Sequence, residues 1–457
     1  MMKKTGILSI LVVLIGISYM LYEFTPLIKR NAIEITIKSP DKYFSKNNDI
    51  KISVQDKNAG IRTVSIKIIS MDTVIDLYEK EFSDRFTKRF DIDFRTNKII
   101  SEGNAKLLVQ VTDYSKNNFM GGFEKVVEKD IIVDSKPPQL KLLSGIDRIK
   151  ITGSALAVYY AEDPHLKDVY LAVSHDNVTD RFKAYDASEL FNQNGVYLSF
   201  FTYRLSKNKD YSTNIYAVDE AGNKRVVHVP VYYSSPNLKE SRIDIDDMFI
   251  QNKVIPIMKN ENEPLKSTLL DDFLFVNNEI RKKNTKEIRK ICSDSSANTF
   301  YWRGSFSQFF NSKVTATFAD KRVYYYNDEP VDVKFHMGYD LASTKNAKVN
   351  AANNGKVIFE GYLGVYGNTL IIDHGFGLFS LYGHLQDFLV KANDTVSKNQ
   401  YVAITDTSGL AGGDHLHFDI LVDGYYVNPI EWWDRHWIKT HIASKIEEAK
   451  TRLSLID

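Results

Sequence analysis

The chain has one cysteine, Cys292, in 457 residues. A lone thiol excludes an intramolecular disulfide framework and any cysteine-rich zinc site. An excess of one charge is also lacking. Lys and Arg number 59 against 58 Asp and Glu, for a net charge of +1. With no long basic run besides, nothing points to a nucleic-acid partner. No H-E-x-x-H occurs, so the glutamate base of zincin-type peptidases is absent. What is there is ordinary for a globular protein: 43% hydrophobic and 26% charged residues, which exclude large-scale disorder. The length suggests about three domains.

The N-terminus holds an uncharged, mostly apolar run, "TGILSILVVLIGISYMLY" from Thr5 to Tyr22, close to the length that crosses a hydrocarbon core. Lys3 and Lys4 precede it, but Lys29 and Arg30 follow, so charge orients it weakly. No small-x-small cleavage site comes after it, which favours a retained anchor over a removed signal peptide. Residues 1–30 are therefore expected to be a cytoplasmic tip and a transmembrane signal anchor, a buried helix being the alternative. The protein would then be single-pass in the cytoplasmic membrane, its bulk in the periplasm or on the outer face.

An internal repeat follows. "VQDKNAGIRTVSIKI" (54–68) and "AEDPHLKDVYLAV" (161–173) each end an alternating strand on an Asp, turn, and begin another strand. "VQVTDYSKNN" (109–118) and "IYAVDEAGNK" (215–224) share an Asp with an Asn four residues on. Asp56 to Asp163 and Asp113 to Asp219 give one period of about 106 residues, the sign of a tandem duplication. Short alternating strands punctuated by Asp, Asn and Gly predict two β-sandwich modules, 33–136 and 137–237. Both resemble bacterial immunoglobulin-like or fibronectin-like modules. They are expected to act as spacers or to meet regulatory protein partners.

Residues 238–313 change character. Leu269, Phe273, Val276 and Ile280 predict an amphipathic helix with Ser267 or Thr268 as N-cap, followed by a short second helix near Glu287 to Cys292. This segment is expected to be a partly helical linker packed on a neighbouring domain, or a lid.

Histidines gather further on: His336, His374, His384, His415 and His417. In "GGDHLHFDI" (412–420), a strand would put His415, His417 and Asp419 on one face. In "FHMGYDLAS" (335–343), His336 and Asp340 are four apart, but Gly338 between them argues for a loop or extended turn. A catalytic zinc takes three protein ligands and keeps one position for water. His336, Asp340 and one histidine of the H-L-H pair would supply them, leaving the other to touch the water. His384, in "LYGHLQDFL" (381–389), offers a second imidazole suited to accept that proton. These residues predict metal-assisted hydrolysis of an amide. His374 is expected to be structural.

H-x-x-x-D at 336–340, Y-G-H-L at 382–385 and H-L-H-F at 415–418 stand in that order. "AANNGKVIFEG" (351–361), "LIIDHGFG" (370–377) and "VNP" (427–429) lie between and after. Together they resemble the LytM and lysostaphin-type zinc endopeptidases over about residues 315–430. The resemblance implies that His336, Asp340 and His417 bind one zinc ion while His384 and His415 act on the water and the developing oxyanion. It also implies an antiparallel β-sheet domain (314–430) with a groove, and peptidoglycan peptides as substrate. Relatives often carry a substrate-proximal tyrosine before the first ligand, and Tyr324, Tyr325 and Tyr326 are candidates without a fixed register. Some relatives lose zinc ligands and only activate other wall hydrolases; that role, or a wall-binding scaffold, is the alternative reading. Residues 431–457, with Trp432, Trp433 and Trp437, are expected to form a C-terminal helix packed back on the protein. The fold class expected is mainly β: two tandem sandwiches, a short helical linker and the C-terminal peptidase sheet.

Overall fold

The computed structural model describes residues 12–21, 33–71, 73–115, 121–205, 210–235, 238–295 and 297–455. Most of the expected anchor lies outside the described residues; of it, 12–21 form a helix with exposed side chains. Among the described residues no helix is long and apolar enough to cross a membrane. The protein is mainly β, and contacts divide it into two compact units. One comprises residues 1–138 with 163–167 and 218–224, and the other holds the remainder.

The strands of the first repeat are β1 (Ile33–Ser39), β2 (Tyr43–Phe44), β3 (Ile50–Asp56), β4 (Ile61–Ser70), β5 (Thr73–Glu81), β6 (Arg89–Phe94), β7 (Gly103–Asp113) and β8 (Glu124–Val133). They form sheets in the orders β1-β3-β6 and β2-β8-β7-β4-β5. Alternation drives them together: Ile50, Ile52 and Val54 of β3 and Val64, Ile66 and Ile68 of β4 share one buried core, while residues between them face outward.

The second repeat comprises β9 (Gln139–Leu142), β10 (Asp147–Lys150), β11 (Ser154–Glu162), β12 (Leu166–His175), β13 (Val178–Lys183), β14 (Tyr185–Asp186), β15 (Val196–Thr202), β16 (Ser212–Asp219), β17 (Lys224–His228) and β18 (Val231–Ser234). Its sheets run β14-β15-β11-β9 and β13-β12-β16-β17, so β11 takes the central place of β3, and β12 and β16 those of β4 and β7. The four landmark aspartates do equivalent work at strand ends. Asp56 accepts the N–H of Asn58, Asp113 that of Ser115, Asp163 that of His165 and Asp219 that of Asn223, at 2.7 to 3.0 Å. Each carboxylate thus closes its own turn.

The segment after the repeats departs from expectation in two ways. After β19 (Glu240–Ile245) comes a helix, α1 (247–260), capped by the Asp246 side chain on Phe249 N–H. Pro256 cannot donate to the carbonyl of Asn252, and the chain passes that point through a π turn, Ile250–Val254. Next, α2 (269–293) is a single run capped by Thr268. The short helix expected near Glu287 to Cys292 is its last part. Nothing between Ile280 and Glu287 breaks a helix, and the stretch is rich in Lys and Arg, which favour one.

The C-terminal part of the second unit contains β20 (Lys313–Ala316), β21 (Asp320–Tyr326), β22 (Glu329–His336), β23 (Tyr339–Ala342), β24 (Lys348–Asn350), β25 (Gly355–Tyr362), β26 (Asn368–Gly375), β27 (Leu378–Phe388), β28 (Thr395–Val396), β29 (Tyr401–Thr405), β30 (Leu416–Val422) and β31 (Tyr425–Val427). Its main sheet runs β20-β23-β30-β27-β26-β25-β28, with antiparallel pairings. Leu421, Leu381, Phe379 and Ile371 form one core with Phe273, Val276 and Ile280 of α2 and Val254 and Ile257 of α1. By strand alternation these sheet residues lie on the face that carries His417 and Asp419. The helical segment therefore occupies part of the same face as the histidines. The opposite face, with Phe418, packs on Trp433 of α3 (Pro429–Trp433). A final helix, α4 (435–453), packs on β11.

Candidate active site

Two antiparallel pairings build the site. β23 lies beside β30 with Asp340 opposite His417, and β27 lies on the other side with Gly383 opposite His417. His336 ends β22, and Met337 and Gly338 carry the chain over to β23, so His336 and Asp340 meet across an extended turn. Gly338 is required there, because a Cβ would sit 2.1 Å from Asp419 Oδ1.

His336 Nε2, Asp340 Oδ1 and His417 Nδ1 converge. The first lies 2.9 Å from the second and 3.1 Å from the third, and the last two are 2.9 Å apart. The outer nitrogens are already engaged. His336 Nδ1 lies 3.1 Å from the carbonyl of Thr317. His417 Nε2 is 3.0 Å from Asp419 Oδ1, close enough for an ion pair though not aligned as a hydrogen bond. Asp340 Oδ2 receives Arg322 Nη2 at 2.7 Å. With outer partners so placed, the inner nitrogens present lone pairs beside a carboxylate oxygen, an arrangement of acceptors that a cation would satisfy. The carboxylates also make this a place that favours positive charge, whether a proton or a metal ion supplies it. Burial alone would lower the pKa of His417, yet Asp419 and Asp340 raise it to about 9. Burial should raise Asp340, but the imidazoles around it, His336 foremost, hold it well below the usual carboxylate range. The cluster fits a small divalent metal with nitrogen and oxygen ligands.

Two further imidazoles stand beside it. The rings of His384 and His415 are 4.9 Å apart, and His384 is 5.7 Å from His417. His384 Nδ1 faces the carbonyl of Ser408 at 2.8 Å, and His415 Nδ1 that of Gly413 at 2.7 Å, so each leaves Nε2 free of that bond. Burial, followed by the neighbouring His415 and His417, pushes the pKa of His384 well below its ordinary value. Burial thus keeps this imidazole neutral, with a lone pair on Nε2.

His415 precedes β30, in a bridge with Asp406, and only His417 and Asp419 lie in the strand itself. His374 is fully buried between the carbonyl of Asn354 (2.7 Å) and Ser380 Oγ (2.8 Å). The three tyrosine candidates point elsewhere. Tyr324 packs on Phe273, Tyr325 lies under Arg242, and Tyr326 Oη bonds Asp247. Tyr366 is the tyrosine whose ring reaches His417, at 5.3 Å. Arg322 and Tyr366 escaped sequence reasoning. The one available signal was that a buried carboxylate ligand needs a counter-charge for its second oxygen.

A carboxylate and two imidazoles converging on an antiparallel sheet, with two more imidazoles alongside, one of them with Nε2 3.5 Å from Asp340 Oδ1, form a layout suited to metal-assisted hydrolysis. Residues 334–429 match peptidase family M23, and the chain carries an M23 peptidase domain there. The DD-carboxypeptidase/endopeptidase Mpg of Neisseria meningitidis is 33% identical over 97 residues, covering 21% of this chain and 22% of that protein. The murein hydrolase activator EnvC of Escherichia coli is 35% identical over 98 residues, covering 21% and 23%. The peptidoglycan DD-endopeptidase ShyC of Vibrio cholerae is 31% identical over 119 residues, covering 26% of each. The chain thus spans about a fifth to a quarter of the length of these relatives. They include both peptidases and an activator.

Proposed function

We propose that residues 314–430 are a zinc-dependent endopeptidase that hydrolyses cross-links or stem peptides of bacterial peptidoglycan. The observation that carries this reading is the convergence of His336 Nε2, Asp340 Oδ1 and His417 Nδ1 within 3.1 Å of one another, with His384 and His415 beside them. The first three residues would hold the metal. Zinc, when bound, supplies a Lewis acid for the scissile carbonyl and lowers the pKa of a bound water toward about 7. Arg322 and Asp419 fix the orientation of the ligands. His384 or His415 accepts the proton of the attacking water at Nε2. The resulting imidazolium then donates to the oxygen on which negative charge develops.

The alternative, a catalytically silent activator of other wall hydrolases or a wall-binding scaffold, draws support from the likeness to EnvC. It leaves the convergent acceptors and the two imidazoles beside them without a use. We further read Thr5 to Tyr22 as the single-pass anchor, the two repeats as immunoglobulin-like spacers open to regulatory partners, and the bulk of the chain as periplasmic or outer-facing. The support for these is the apolar run and a wall substrate.

Digestion of purified peptidoglycan sacculi, read by mass spectrometry of released muropeptides, tests the function. The zinc-loaded protein is expected to release peptides that His417→Ala does not, His417→Ala also losing zinc. His415→Ala should keep zinc and lose about 10² to 10⁴ in rate. Intact sacculi after treatment with the loaded protein would favour the activator.

A further inference from the structure

His384 adopts a left-handed backbone conformation, with φ of 60°, which a non-glycine residue holds only when its surroundings impose it. Its carbonyl accepts Asp406 N–H at 2.9 Å, and its Nδ1 meets the carbonyl of Ser408 at 2.8 Å. The orientation of this imidazole is therefore set by the loop 406–410. Two outside contacts hold that loop.

Lys253, on α1, reaches across to it and donates from Nζ to the carbonyl of Thr407 at 2.8 Å. Asn284, on α2, acts one step further back. Its Oδ1 accepts Val365 N–H at 3.0 Å, and the Val365 carbonyl accepts Leu410 N–H at 2.9 Å. Asn368 N–H then bonds Ser408 Oγ at 3.0 Å. The two loops run so close that a Cβ on Gly367 or Gly409 would lie 2.4 Å from the other loop. Tyr366, on the first loop, is the ring against His417.

Asn284 is fully buried, and its Nδ2 has no hydrogen-bond partner. An amide half-satisfied in a core is a poor source of stability, which asks for another reason for its presence. α1 and α2 lie wholly before the matched stretch 334–429.

We propose that Lys253 and Asn284 are positioning residues for the reaction. From helices outside the peptidase family's boundaries, they clamp loops 363–367 and 406–410 and so hold His384 in its Nδ1–H form with Nε2 turned to the site. This rests on the hydrolytic reading above for its kinetic consequence, but its structural claim stands apart from it.

The test uses the full chain with imidazole ¹⁵N-labelled histidine, the His384 signals being assigned by their loss in His384→Gln. In the unsubstituted protein His384 is expected as a single tautomer protonated at Nδ1. Lys253→Met and Asn284→Leu should each give a mixture of tautomers, keep zinc at one equivalent, and lower kcat on sacculi about 10- to 100-fold with KM little changed. Lys253→Arg, which keeps a donor for Thr407, should restore both readouts. Should Asn284→Leu fail to fold, the two Lys253 variants decide alone. A single unchanged tautomer in the folded loss variants would overturn the proposal. An unsubstituted protein that cleaves nothing would instead overturn the hydrolytic reading, while the tautomer measurement still decides the clamp.

Discussion

β3 is the middle strand of β1-β3-β6 and β11 an inner strand of the four-stranded β14-β15-β11-β9, yet these counterparts are buried differently. β3, "IKISVQD", alternates: Ile50, Ile52 and Val54 are buried and Lys51 is exposed. β11, "SALAVYYAE", is buried at eight consecutive positions. One face of β11 serves its own repeat, and the other is covered by the C-terminal segment. Trp432 Nε1 donates to Ser154 Oγ at 3.0 Å, the Trp432 ring stands 5.6 Å from Phe200 of β15, and α4 packs on the same strand. The two repeats share the order of their central strands. What their outer faces carry then decided whether a repeat stays a separate body or becomes part of the peptidase unit.

The largest effect should come from breaking each core in turn. Trp432 and Ile66 are both fully buried. Trp432→Ala should cost about 4 kcal/mol and Ile66→Ala about 3 kcal/mol by loss of transfer energy and creation of a cavity. The consequences should differ. Trp432→Ala is expected to lower muropeptide release together with the melting temperature of the second unit. Ile66→Ala is expected to shift only the unfolding of the first. Equal loss of activity in the two variants would mean that the repeats are not distinct in the way their burial implies.

A middle-sized effect concerns two carboxyls of the second unit, Asp423 and Glu431. Asp423, partly exposed as a residue, has its carboxyl closed in by Lys183 N–H (2.7 Å) and Tyr185 Oη (2.6 Å). Glu431 accepts Ser154 N–H at 2.7 Å. Burial, the main cause in each, raises Asp423 to about 6 and Glu431 to about 7. Unfolded carboxyls ionise near about 4, so between about pH 4 and 7 the folded state holds the extra protons. The stabilisation is complete below about pH 4 and is lost as pH rises through 6 and 7. Each group contributes on the order of 3 kcal/mol. Thermal melts of the double variant Asp423→Asn, Glu431→Gln should show a shallower fall of the second unit's melting temperature across that range.

Part of this was legible in the sequence. The aspartate landmarks marked the repeat because turn chemistry is local: each carboxylate bonds a backbone amide two to four residues on. The histidines were visible because two of them sit in "HLH", and the structure brings both beside His336, Asp340 and His384. Two-sided burial of β11 was written in "ALAVYYA", but periodicity alone does not separate a strand covered on both faces from a buried helix. α1 was hidden by Pro256, which ends a helix by the usual rule and here follows a π turn. His384's positive φ, Arg322, Lys253 and Asn284 had no local signal at all. The partners of Lys253 and Asn284 are 154 and 81 residues away, and tertiary structure alone brings such pairs together.

The smallest effect isolates one hydrogen bond from the burial around it. Ser154 is fully buried at the start of β11, and Ser154→Ala removes the acceptor for the indole N–H of Trp432 without opening a large cavity. A buried donor left unpaired costs about 1 to 2 kcal/mol. Thr36, exposed on β1, is a fitting control, since surface substitutions usually stay within about 0.5 kcal/mol. Urea midpoints for the two alanine variants should therefore separate, with Ser154→Ala shifting only the second unit. If they coincide, the indole bond adds nothing to apolar packing, and shape alone joins the second repeat to the peptidase.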